Sequence, residues 1–271
     1  MIPLRLTLGV AAATLFLLVF GPARRFAQWR GWRFGRGAPP LFHRLLCATL
    51  GVRVRAHGRA LDGTPRLIVA NHVSWLDIPV LGSIAPMTFL AKSEVGAPAF
   101  GGRIARLQGV IFVERGRRRC IPRVNAEIVA AMAKGEAVVL FAEATTGDGN
   151  RLLRFRSSHF EAARRAAAGD NGAETVVQPV FLDYTRIAGL PVGRRERPLF
   201  AWYGDMTFLP HFRRFLGAGG IVCDVHFGAP IRICAASNRK AVARATELAV
   251  RNLAGQARAP KVAIPAERGS S

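Results

Sequence analysis

In Asn71-His72-Val73-Ser74-Trp75-Leu76-Asp77 a histidine and an aspartate stand five positions apart, directly after a short apolar run at 67–70 that reads as a buried strand. At a strand end such a pair can hydrogen-bond. The Asp77 carboxylate would accept from one imidazole nitrogen, fix the tautomer and leave the other nitrogen of His72 free as a general base. No protein nucleophile accompanies the pair. The hydroxyl it activates would belong to a substrate, which points to group transfer onto an alcohol. The spacing is weak alone, because a strand-end histidine is often just a satisfied polar residue.

Three further segments add weight. In Gly109-Val110-Ile111-Phe112-Val113-Glu114-Arg115 a strand ends in a charged pair, and Arg117, Arg118 and Arg119 follow. Arginine offers a planar, permanently charged fork suited to phosphate or carboxylate; the plain alternative is a strand running into a solvated basic loop. In Phe141-Ala142-Glu143-Ala144-Thr145-Thr146-Gly147-Asp148-Gly149-Asn150 a buried strand delivers Glu143 to a loop rich in turn residues. Loops at strand ends are where α/β proteins place ligands; residues 147–150 read as a plain surface turn. In Val177-Gln178-Pro179-Val180 the proline is expected to end or interrupt a strand, because it cannot donate to a central ladder.

The elements that must hold these residues alternate. Strands are expected at 52–57, 67–70, 87–91, 110–113, 137–141, 175–182, 199–202 and 221–227. Helices are expected at 41–50, 75–84 (with Ser74 as N-cap), 100–107, 124–134 (closed by Gly135), 158–168 and 241–254. Such alternation argues for an α/β fold with a mixed, largely parallel sheet flanked by helices. With no internal repeat and no clear linker, the division is an N-terminal membrane-anchoring segment at 1–50, one catalytic domain at 51–258 and a disordered tail at 259–271.

Charge speaks to the setting. Half the residues are apolar and the net charge is +22, so the surface is drawn to polyanions, either nucleic acid or anionic lipid. No acidic residue precedes Asp62, and the segment 2–20 is apolar with Arg5 as its only charge. As a helix it would be about 28 Å long, close to the bilayer's hydrocarbon thickness. Arg24, Arg25, Arg30, Arg33 and Arg36 follow, interleaved with Phe26, Trp29, Trp32 and Phe34, a mix that suits a headgroup interface on the cytoplasmic side. The flank is wrong for a cleaved signal peptide. The cysteines, Cys47, Cys120, Cys223 and Cys234, show no close pairing or metal-ligand spacing, so reduced thiols and no structural metal are expected.

All four segments, in this order, resemble the lysophospholipid acyltransferase family. Asn71 to Asp77 matches its first block, N-H-x-x-x-x-D; Gly109 to Arg115 matches the second, G-x-x-F-x-x-R; Phe141 to Thr145 matches the third, F-P-E-G-T, imperfectly; and Pro179-Val180 matches the proline of the fourth. The resemblance covers roughly 52–227, and two blocks in order and at matching separation are far more specific than either alone. It implies that His72 deprotonates an acceptor hydroxyl and that Asp77 orients His72. The hydroxyl would attack a thioester of acyl carrier protein or coenzyme A. Arg115, in the block opened by Gly109, would bind an anionic headgroup, and Glu143 and Thr145 would shape the same substrate-binding site. An apolar tunnel would hold the acyl chain, and no metal or bound cofactor is implied.

The departures are Ala142 and Ala144, where the family usually has Pro and Gly, and Thr146, where many members carry Arg. The missing Arg argues against a glycerol-phosphate acceptor. The stretch 141–160 and Ala201-Trp202-Tyr203-Gly204-Asp205-Met206, followed by Pro210-His211, resemble a subgroup that includes lyso-ornithine lipid O-acyltransferases. That makes lyso-ornithine lipid the expected acceptor, with 1-acyl-sn-glycerol-3-phosphate as the alternative. The expected place is a bacterial-type cytoplasmic (inner) membrane, with the catalytic domain on the cytoplasmic face of an anionic membrane surface. A non-catalytic membrane protein of the same fold is a further alternative, motivated by the degenerate third block. A nucleic-acid partner is not expected, because the aromatic-basic cluster follows an apolar helix and no nucleic-acid-binding motif is present.

Overall fold

The computed structural model describes residues 38–62, 65–92, 110–113, 118–169 and 175–259, with Thr7, Ala11 and Arg30 as isolated positions. In chain order these form α1 (Ala38–Leu50), β1 (Val52–His57), β2 (Arg66–Ala70), α2 (Asp77–Gly82), β3 (Met87–Lys92), β4 (Ile111–Val113), α3 (Ile121–Ala133), β5 (Ala137–Phe141) and α4 (Phe160–Ala167). Then come β6 (Thr175–Ile187), β7 (Leu190–Pro191), α5 (Phe208–Gly217), β8 (Ile221–Phe227), β9 (Ile231–Ile233) and α6 (Arg239–Arg258).

Strand order is β1-β8-β6-β2-β5-β3-β4, with β7 and β9 paired to β6 off that path. The pairs β1–β8, β2–β5, β2–β6, β3–β5 and β3–β4 are parallel, and β6 runs antiparallel to β7, β8 and β9. This is the expected mixed, largely parallel sheet flanked by helices. Every residue of β2 and β5 is buried, as in strands covered on both faces. Alternation sorts their side chains. Ile68, Ala70, Val139, Phe141, Val180 and Leu182 join a core with residues of α1, α2 and α5. Leu67, Val69, Val138, Leu140, Val177 and Phe181 join a second core under α3, α4 and α6.

Several local expectations are corrected. The strand does not end at Pro179: β6 runs through it as a central strand, with Pro179 opposite Val69. The proline is tolerated because on its other side the neighbour changes from β9 to β8, and the chain at Gly228 donates its N–H to the Pro179 carbonyl at 2.9 Å. A proline there forfeits no ladder bond. Residues 199–202 form no strand. A short 3-10 turn at Arg197–Leu199 leads into a loop whose Trp202 N–H donates to the Val73 carbonyl at 3.0 Å. The second helix starts at Asp77 rather than 75, so its N-cap position falls on Leu76; Ser74 lies before it, its hydroxyl donating to the Phe200 carbonyl and accepting from the Leu76 N–H at 3.3 Å.

Helix α1 includes Pro39 and Pro40 in its first turn, where a missing N–H is harmless. It packs on α2 so closely that a methyl group on Gly82 would collide with the His43 ring. The expected helix at 100–107 lies outside the described residues. So does the segment 2–20, apart from Thr7 and Ala11. No helix among the described residues is long and apolar enough to cross a membrane.

Candidate active site

Parallel register brings the ends of β2 and β5 side by side, Ala70 opposite Phe141, with Val180 of β6 on the other flank. His72 and Glu143 emerge two residues beyond those strand ends. This is the edge where open α/β sheets place ligands. Asn71 ties the first block to β6: its side-chain oxygen accepts from the Leu182 N–H at 2.8 Å and its amide donates to the Leu182 carbonyl at 3.1 Å.

His72 and Asp77 meet as the spacing suggested, Nδ1 to Oδ2 at 2.8 Å. Asp77 is fully buried. The same Oδ2 accepts from the Val73 N–H at 2.7 Å and the Ser74 N–H at 2.9 Å, while Oδ1 accepts from the Tyr184 hydroxyl at 2.6 Å. Four donors therefore converge on one carboxylate. They also explain why residues 73–76 are wound around Asp77 and not helical. With Asp77 acting only as acceptor, the Nδ1 proton stays on His72, and Nε2 presents its lone pair with no hydrogen bond to a described residue. The His72 ring stacks on Phe141, centroids 4.0 Å apart and planes 11° from parallel, and keeps only an edge accessible. Burial, and then the Asp77 charge, holds the Tyr184 phenol well above its ordinary value, so it stays a donor.

Glu143 is buried, and both its oxygens face backbone. Oε2 accepts from the His72 N–H at 2.8 Å, and Oε1 accepts from the Leu153 N–H at 2.7 Å. The His72 carbonyl in turn accepts from the Gly147 N–H at 2.8 Å. The third block thus grips the main chain of His72 from two sides. Burial pushes the Glu143 carboxyl up to about 7, against the two amide hydrogen bonds that pull it down. Thr145 is exposed at the tip of the turn. Ala144 has φ of +60°, the left-handed conformation that favours glycine.

Residues 147–150 are more than the surface turn their composition suggested. Gly147 and Gly149 are buried. Gly149 sits at φ +74°, where a Cβ would press at 3.1 Å on both Val73 and Arg197. Its carbonyl accepts from Arg197 at 2.8 Å and from Arg258 at 3.1 Å. A cavity of only about 10 Å³ lies here, lined by Asn71, His72, Glu143 and Gly147 among others. A larger one of about 370 Å³ lies between α1 and β1, lined by Cys47, Val52, Val54 and Ile84 with Arg44 and Ser83.

Gly109, Glu114, Arg115 and Arg117 lie outside the described residues. Tyr184 was missed by the sequence reading because its strand was expected to stop at 182; the continued alternation Val180, Leu182, Tyr184 is the signal that places it on the His72 face. Ser74 was misassigned. Its hydroxyl donates to the Phe200 carbonyl at 2.6 Å and so anchors the loop before α5 to the first block.

This arrangement holds an imidazole by one nitrogen and leaves the other without a hydrogen bond to a described residue beside a sheet edge, which suits proton abstraction from a bound hydroxyl. Residues 52–183 match a family model described as Acyltransferase. A protein of Brucella abortus named lyso-ornithine lipid O-acyltransferase is 44% identical over 223 residues, 82% of this chain and 83% of its own length. One of the same name from Rhizobium meliloti is 42% identical over 227 residues, 84% and 78%. The crystal structure of the 1-acyl-sn-glycerophosphate acyltransferase PlsC from Thermotoga maritima superposes with a TM-score of 0.63 at 16% identity, covering 96% of this chain and 98% of that one, and so shares the fold. The chain belongs to the acyltransferase family and is an acyltransferase.

Proposed function

We propose that this acyltransferase moves a fatty acyl group from a thioester of acyl carrier protein or coenzyme A to the hydroxyl of a lysolipid, with lyso-ornithine lipid as acceptor and ornithine lipid as product. The observation that carries the reaction is Nδ1 of His72 held at 2.8 Å from a carboxylate that three other donors also fix. Nε2 removes the proton as the acceptor oxygen attacks the thioester carbonyl. A C–O bond forms, the C–S bond breaks, and the imidazolium returns its proton to the departing thiolate. Asp77 orients the ring and stabilises the imidazolium. A thioester is already activated, so no acyl-enzyme is needed.

The acceptor is supported by the names of the two relatives at 44% and 42% identity and by Thr146 standing where an arginine would meet a phosphate. Arg115 and Gly109, with Glu143 and Thr145, complete the substrate side of the proposal, with Glu143 acting through the His72 backbone. The apolar segment 2–20 and the arginine–tryptophan cluster behind it hold the chain at a bacterial cytoplasmic membrane, catalytic domain on the cytoplasmic face.

The test offers the purified full chain labelled acyl-acyl carrier protein or acyl-coenzyme A, with lyso-ornithine lipid and lysophosphatidic acid in parallel. Ornithine lipid is the expected product, and His72→Ala is expected to lower kcat by about 10²- to 10⁴-fold while the protein stays folded. Phosphatidic acid as sole product would overturn the acceptor. Undiminished transfer by the variant would overturn the base.

A further inference from the structure

Helix α5 follows the Trp202-to-Met206 motif, which the catalytic geometry leaves without a role. Its first turn is unusual. Phe208 and Leu209 are 49% and 55% exposed; Phe208 ends the row that buries His211 and Phe215 further along the helix, and Leu209 stands beside that row, facing away from it. Exposed large apolar residues on one helix end cost solvation unless something covers them. Arg213 and Arg214 stand one turn on, exposed and without an ion pair among the described residues; Arg213 lies four residues from Leu209 and so on the same face. Asp205 is the one acidic residue between Glu196 and Asp224.

This turn is joined to the first catalytic block by rings. Trp75 of that block lies 5.5 Å from Phe208, 5.8 Å from Phe212 and 5.4 Å from Phe215. Its indole N–H donates to Nδ1 of His211 at 3.4 Å, while Nε2 of His211 donates to the Ala201 carbonyl at 3.1 Å. Burial holds His211 below its ordinary value, consistent with a neutral ring bonding both ways. Trp202 adds its own edge-on contact with Phe208 and a backbone bond to Val73. The exposed tip and His72 are thus parts of one packed unit.

An apolar tip backed by unpaired arginines, on a chain of net charge +22, is complementary to an anionic bilayer. We propose that the first turn of α5 is a membrane-docking face: Phe208 and Leu209 enter the interfacial layer of an anionic bilayer, Arg213 and Arg214 meet its headgroups, and the block bearing His72 is thereby held at the lipid surface. The docking stands apart from the acyl-transfer reading, while its consequence for the acceptor rests on it.

Hydrogen–deuterium exchange on the full chain tests it, with phosphatidylglycerol/phosphatidylcholine vesicles and with phosphatidylcholine vesicles alone. Amides of 205–212 are expected to gain protection with the anionic vesicles and to lose that gain in Leu209→Glu. Leu248→Ser, at a similarly exposed leucine on α6, should keep it. In transfer assays Leu209→Glu is expected to raise the apparent KM for a bilayer-borne lysolipid about tenfold with little change in kcat. No protection of 205–212, equal protection by neutral vesicles, or protection already complete without vesicles, as when this chain or a second copy covers the face, would each overturn the proposal. If acyl transfer itself failed with every acceptor, the exchange result would still decide the docking.

Discussion

Asp77 takes four hydrogens, from His72, Val73, Ser74 and Tyr184, and each does something different. The imidazole bond sets the tautomer. The two backbone bonds fold the intervening residues back so that His72 can reach its partner. The phenol bond fixes the carboxylate from the sheet side. Removing any one leaves a buried acceptor short of a donor, at a cost of about 1–3 kcal/mol. Glu143 does comparable work one layer out, holding the N–H groups of His72 and Leu153. Its carboxyl is pushed by burial from an ordinary 4.5 to about 7. Between those values the folded chain binds the proton more readily than the unfolded one. The stabilisation is therefore full below pH 4.5 and lost as pH rises through 7. Relative to Glu143→Gln, the unfolding free energy of the natural chain should fall by about 3 kcal/mol between pH 4.5 and about 8, measured by denaturant titration. A pH-independent difference would mean that the two amide hydrogen bonds offset burial at this carboxyl, and a difference that rises with pH would mean that they outweigh it.

At the scale of elements, the turn after β5 carries a local conflict. Ala144 adopts φ +60° where the resemblance had suggested that a glycine belongs. A Cβ in that region is disfavoured by about 1–2 kcal/mol, partly offset by the smaller entropy that alanine loses on folding. Ala144→Gly should therefore stabilise by about 0.5–1 kcal/mol and raise Tm by about 1–4 °C. An unchanged or lower Tm would show that the turn does not need its left-handed residue. The cost was legible in the sequence, because turn chemistry is local. So were β2, β5 and the face that His72 follows, since alternation is a property of the strand itself. What escaped notice depends on distant partners. Tyr184 reaches Asp77 across 107 residues. Pro179 survives in a central strand because Gly228 and its neighbours break the ladder beside it. The apolar run 199–201 looks like a strand but is spent covering Ser74 and α5. Arg115 and Gly109, named from the second block, lie outside the described residues.

For the whole molecule the governing quantity is charge. An excess of 22 positive charges adds little to folding but gives long-range attraction to an anionic surface, about 1 kcal/mol for each Lys or Arg brought near it. Salt screens this attraction, with a Debye length of about 10 Å at 0.1 M and about 3 Å at 1 M. The apolar segment 2–20, if it enters the hydrocarbon, is insensitive to salt. The two contributions separate in one titration. Partition of the full chain onto phosphatidylglycerol-containing vesicles should weaken at least tenfold between about 0.05 and 0.5 M salt, in the part that charge supplies. The fraction that stays bound at high salt, and that also binds neutral vesicles, measures the apolar segment. Complete release at high salt would assign membrane attachment to charge and the exposed tip of α5 alone. Salt-independent binding to neutral and anionic vesicles alike would assign it to the N-terminal segment and leave the basic surface without a role at the bilayer.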